Sequence, residues 1–325
     1  MRLSRFGLLF LIAASVLVGS NCGYYSRIMS RKDLVDGSEA YKARKFAEAE
    51  SLFRRAASRD PEGATQEGRF AQVFLARTLH SQFIGNRQVT AKAEEAIAEY
   101  KKALQLNPND QSSYKAVASL YENLQKQNEW QNWVSERSSN TNIEPHYRAE
   151  ALTALAAKQN TCANEISDTE ATKKTVKGPD GKEIYQFVKP SEEAQFTQLK
   201  ECVSKAQDLI SQAMAAEPDV VKNAKSADLK SMTDEQLTEL LDKIKAFESA
   251  RSYRASIAIQ ASRVAEMEGR NEDRDRLKTE AESYRKDYAD LSEVGRAIQS
   301  ELDARAAAAE AEANANANAN ANAAN

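Results

Sequence analysis

The chain has 325 residues and a formal net charge of −3, with 45 basic and 48 acidic side chains interspersed, so no basic stripe for nucleic acid is present and nucleic acid is excluded as a partner class. Helix formers (Ala, Glu, Lys, Leu, Gln, Arg) dominate, and the 11 Gly and 6 Pro are too few for an all-β or low-complexity chain, which points to an all-α fold. Three Cys outside any CxxC pair and two His exclude a structural zinc site, and no other metal or cofactor is expected.

The first element is a targeting segment. Arg2 and Arg5 precede an apolar run, Phe6 to Val18, that is short for a membrane span. Residues 1–21 therefore read as a signal peptide, with an uncleaved anchor as the alternative. Gly19, Ser20, Asn21 and Cys22 follow, and this arrangement resembles a bacterial lipoprotein lipobox. Ser20 fits the lipobox, whereas Gly19 stands where Leu is preferred and Asn21 where Gly or Ala is preferred. The resemblance implies lipidation of Cys22, a linker over 22–30, and a periplasm-facing protein held to a membrane, the outer before the inner. Cleavage after Ser20 instead implies a secreted or soluble periplasmic protein. With Cys22 lipidated, Cys162 and Cys202 remain as an even pair, open to a disulfide in an oxidising compartment or to two buried thiols.

The next elements share one spacing. Ala49, Phe53, Ala56 and Pro61 repeat as Ala96, Tyr100, Ala103 and Pro108, and again as Ala206, Ile210, Ala213 and Pro218. Positions three and four apart share a helix face, the Ala residues admit a neighbouring helix, and the Pro ends the helix. Each such helix follows a partner: Leu34–Ala43, with Gly37 and Tyr41, precedes the first, and Phe70–Ile84 precedes the second, across a longer than usual link. This pattern resembles the second helix of a tetratricopeptide repeat. The resemblance covers about residues 31–305 and implies a helix-turn-helix solenoid.

Further along, Ser113–Leu124 and Glu129–Ser138 form a degenerate third pair, with Trp130 and Trp133 in place of small residues. A fourth begins at Pro145 and is interrupted by an insert at about 159–192. Pro179-Asp180-Gly181 there is a turn signal, flanked by Thr172–Val176 and Glu183–Val188 as a small β-hairpin. The insert is either a contact loop or a tolerated surface insertion. A long helix capped by Thr233 or Asp234 runs to about Met267. Gly269-Arg270-Asn271 breaks it before a last helix, Glu272 to Ala309, in which Leu277, Ala281, Tyr284, Tyr288, Leu291, Ile298 and Leu302 form a ladder suited to capping the last repeat or to a dimer seam. Residues 306–325, rich in Ala and Asn, offer nothing large to bury and read as a disordered tail.

Catalytic motifs are missing: there is no GxSxG, P-loop or HExxH, His80 lies in an apolar helical pattern, and His146 is expected at the surface. A non-enzymatic protein-binding scaffold of the cell envelope follows from the resemblance, with a groove formed by first helices and including Arg31, Ser38, Tyr41 and Lys42. An accessory subunit of an envelope enzyme, such as one acting on peptidoglycan, and a self-assembling structural protein are the alternatives. A monomer is expected, a dimer through the last helix being the other option.

Overall fold

The structure, a computed structural model, describes residues 24–178 and 180–323; the segment expected as a signal peptide, residues 1–21, and Cys22 lie outside these. The fold is all-α with one two-stranded antiparallel hairpin. The chain divides into two compact units, one up to Trp130 and one from Gln131, where the sequence suggests a single repeat domain over 31–305. The division falls inside the helix carrying Trp130 and Trp133, where the small-residue spacing lapses.

In the first unit, α1 (residues 24–42), α2 (Phe46–Ser58), α3 (Gln66–Gly85), α4 (Thr90–Leu106) and α5 (Gln111–Asn123) follow in order. Successive helices from α2 to α5 pack on one another, and α1 reaches α2 through Ser30 Oγ, which donates to the Ala56 carbonyl at 3.2 Å. Alternate helices also meet. Tyr41 on α1 shares a 2.9 Å hydrogen bond with Ser81 on α3, and Lys92 on α4 pairs with Glu50 on α2 at 2.9 Å. Contacts of each helix with its next and next-but-one neighbours are the geometry of stacked helix hairpins. The repeat residues carry it: Ala49, Phe53, Ala56, Ala96, Tyr100 and Ala103 are all buried. Gly37 lets α2 close on α1, since a Cβ there would stand 2.7 Å from the Phe53 ring.

Two boundaries differ from expectation. Residues 24–30, expected as linker, already belong to α1, because Ser30 and Asp33 face inward, Asp33 pairing with Arg55 at 2.9 Å and with Arg59. The link between the second pair is not long: α3 continues to Gly85 and α4 begins at Thr90, so only residues 86–89 separate them.

The second unit holds most of α6 (Gln127–Ser139), then α7 (Pro145–Ser167), β1 (Lys173–Lys177), β2 (Glu183–Phe187), α8 (Glu193–Ala215), a short α9 (Asp219–Lys222), α10 (Asp234–Met267) and α11 (Asn271–Ala323). One core runs from Ala149 and Ala156 through Ala206, Ile210 and Ala213 to Ile244, Phe247 and Ile298. Thr233 closes a capping box with Gln236 at the start of α10.

Here α7 extends past Cys162 to Ser167, so the insert narrows to residues 168–192; the polar-looking segment stays helical because Ala163 and Ile166 pack against Phe196, Leu199 and Val264. His146 is buried rather than exposed. It shares a face with Ala149 and Thr153, with Nε2 3.4 Å from Asp242. Ala281, Leu291 and Ile298 of the α11 ladder are buried, α11 packs along α10, and at Gly295, the gap in the ladder, a Cβ would stand 3.3 Å from Ile244. The segment expected as a disordered tail continues α11 to Ala323. Just before this segment Arg305 ties α11 to the turns before α10, donating to the carbonyls of Met232 (2.7 Å) and Leu229 (3.2 Å). Beyond it, Ala sustains a helix already nucleated by packing.

Candidate functional site

Alternation around α1 produces two faces. Ser30, Asp33, Gly37 and Ala40 turn inward, leaving Arg31, Leu34, Val35, Ser38 and Lys42 on the other side, spaced to form one stripe. On α3 the stripe Gln66, Glu67, Phe70 and Phe74 lies opposite. Between them runs a groove of about 570 Å³ lined by both sets, with Arg27 and Glu39 at its edges. A second recess of about 450 Å³ adjoins it between α3, the end of α4 and Asp110, and Phe70 and Phe74 border both.

The floor is apolar. Phe74 stacks on the buried Phe53 ring at 5.5 Å, while Val35 and Phe70 are 53% and 49% exposed. Around them sit Arg27, Arg31, Lys42, Arg69 and Arg77, against Glu39, Glu67 and Asp110. Arg27 pairs with Glu67 at 3.3 Å. The hydrogen bond from its own backbone N–H, with Arg27 and Arg31 adding attraction, holds the Glu67 carboxyl below the usual range.

Three of the four expected groove residues line this surface: Arg31, Ser38 and Lys42. Ser38 donates to the Leu34 carbonyl at 2.8 Å, so its hydroxyl is engaged by its own helix. Tyr41 does not line the groove; it meets Phe46 edge-on at 5.4 Å and bonds Ser81, fastening α1 to α3. Val35 and Phe70 are the additions. Their exposure is not readable from the sequence, because a large apolar residue in an amphipathic helix is ordinarily assigned to the core face.

Behind the groove, Glu50 holds the stack together. It accepts from Arg54 Nη2 (2.8 Å), Gln82 Nε2 (2.7 Å) and Lys92 Nζ (2.9 Å). Burial alone would raise its pKa, but these donors outweigh burial and lower it to about 2. His80 is largely buried beside Tyr100, and burial lowers its pKa.

In the second unit a recess of about 330 Å³ is lined by Lys225, Arg251, Arg254, Glu217 and Tyr284 among others. Its cations are engaged within the chain: Arg251 with Glu217 at 2.7 Å, Lys225 with Asp290 at 3.5 Å, and Arg254 over the Tyr284 ring at 3.8 Å. The hairpin is fastened at its base. Arg263 on α10 donates to Ser167 Oγ (2.9 Å) and Asp168 Oδ2 (3.2 Å) and lies 4.4 Å from the Phe187 ring. Cys162 on α7 and Cys202 on α8 are joined, with Cα atoms 6.1 Å apart.

No protein-family model matches the sequence, and no curated protein matches it. Among solved structures, a tetratricopeptide repeat protein from Parabacteroides merdae is similar, at 12% identity and a TM-score of 0.31, over 82% of this chain and 99% of that one.

Proposed function

We propose that this chain is a non-enzymatic protein-interaction scaffold of the bacterial cell envelope, which seats a partner peptide or helix between α1 and α3. The observation that carries the reading is the pairing of exposed Val35 and Phe70 within one groove, rimmed by Arg31 and Lys42. Scattered exposed apolar residues are ordinary on any surface, whereas a concave apolar floor with a few charged groups around it is the form of a binding site. The rigid stack of helices beneath supplies preorganisation, which lowers the ordering cost of binding. The envelope location is supported by the apolar run Phe6 to Val18 and by Cys22, whose lipidation would hold the chain to a membrane.

A photo-crosslinking residue at position 35 or 70 of the full chain, expressed in its own cells, tests the reading and identifies the partner. Val35→Asp with Phe70→Asp removes the apolar floor. Burying one such side chain is worth roughly 2 kcal/mol, so affinity for the crosslinked partner is expected to fall about thirtyfold or more, with helix content unchanged. Absence of any protein adduct at both positions, or undiminished binding by the double variant, refutes the groove as the site.

A further inference from the structure

The hairpin carries an excess of basic side chains. Between Lys173 and Lys189 stand five lysines and two acids, Asp180 and Glu183, a net +3 within a chain whose total is −3. Val176 pairs with Ile184 on one face, and Thr175 with Tyr185 on the other. Ile184 is 47% exposed and Tyr185 61%. On its distal half Lys182 meets Asp180 in an exposed ion pair at 3.4 Å, a kind worth little in water. An isolated two-stranded hairpin is marginally stable, yet this one is fixed at its root by Arg263, by Asp168 paired with Lys173 at 2.8 Å, and by the Cys162–Cys202 link between the helices beside it. The fastening lies at the root of the hairpin, from which the strands carry Lys174, Lys177 and Lys182 away.

We propose that the hairpin is a membrane contact: it lays Ile184 and Tyr185, with Lys174, Lys177 and Lys182, against a lipid surface bearing anionic headgroups. This rests on the reading that the N-terminal segment holds the chain to a membrane, because tethering gives even a weak contact a high effective concentration. Charge complementarity selects an anionic partner. The distribution of apolar groups favours lipid over an acidic protein, because Ile184 and Tyr185 point to opposite faces. A protein surface covers one face, whereas a fluid interface surrounds the tip and accepts both, with the Tyr hydroxyl and Lys ammonium groups at headgroup level.

The test footprints lysines of the full chain with a neutral amine-acetylating reagent, read residue by residue by mass spectrometry. The chain is placed in vesicles of phosphatidylcholine alone or of phosphatidylcholine mixed with phosphatidylglycerol. Lys225 and Lys230, exposed in the turns before α10, are internal controls. Reactivity of Lys174, Lys177 and Lys182 is expected to fall about threefold or more in the mixed vesicles, to recover in high salt, and to fall less in Ile184→Ser with Tyr185→Ser. Hairpin lysines that change no more than the two controls overturn the proposal and leave an acidic protein as the partner to seek. Flotation with the phosphatidylcholine vesicles reads the N-terminal attachment separately. A chain that does not float there refutes the tether, while the footprint in mixed vesicles still decides the hairpin.

Discussion

Gly37→Ala tests the stacking of α1 on α2. A Cβ at this position would lie 2.7, 2.9 and 3.0 Å from three carbons of the Phe53 ring, well inside the 3.5–4.0 Å of an ordinary carbon contact. The ring has no room to retreat: Phe53 is fully buried and stacked on Phe74. Overpacking of this kind costs about 1–3 kcal/mol. Against it stands a helix-propensity gain of about 1 kcal/mol, because position 37 is interior to α1. The expected net effect is a loss of up to about 2 kcal/mol, opposite in sign to an unhindered Gly→Ala change in a helix. Phe53→Leu costs stability by itself, but combined with Gly37→Ala it should restore room, with a coupling energy of about 1 kcal/mol. Urea unfolding followed by circular dichroism measures the change, and hydrogen exchange of α1 and α2 peptides assigns it to the first unit. If Gly37→Ala is more stable than the parent, the close approach at Phe53 is not what governs this packing.

Two further outcomes follow from particular contacts. The Glu50 carboxyl titrates at about 2 when folded and near 4.5 when free. A folded pKa below the unfolded one means that the stabilisation is present above pH 4.5 and is lost as pH falls towards 2. Glu50→Gln should therefore lower stability at neutral pH and flatten its decline on the acid side; an unchanged slope between these pH values would count against the role given to Lys92, Arg54 and Gln82. The Cys162–Cys202 link closes a loop of sequence separation 40, for which chain entropy allows about 4 kcal/mol at most. Mass analysis without reductant should find the pair joined, and Cys202→Ser should lower the melting temperature of the second unit by an amount that reductant reproduces in the parent; two free thiols would remove the basis for this expectation.

Much of the helical framework is legible from spacing alone. Ala-x3-large-x2-Ala places three side chains on one helical face wherever it occurs, and Phe53, Tyr100 and Ile210 are accordingly buried. The cap at Thr233 and the break at Gly269 are local chemistry and stand where the residues put them, Gly269 having a positive φ of 75°. Boundaries fail where local and tertiary preferences differ. The polar end of α7 continues as helix because Ala163 has Phe196 and Leu199 to pack on, which no local signal records. The Ala/Asn segment lacks a core of its own but inherits a nucleus from α11.

The candidate groove divides the same way. Sequence periodicity by itself determines that Arg31, Ser38 and Lys42 share a stripe of α1, because residues three, four and seven apart on a helix point in one direction. Only the tertiary structure decides that Phe70 of α3 comes to lie across from Val35, that Tyr41 is spent on fastening two helices, and that Arg263 reaches the hairpin's base. Those pairings are set by which helix faces can approach closely, and that depends on side chains distant in sequence, such as Gly37 and Phe53, meeting in the folded chain.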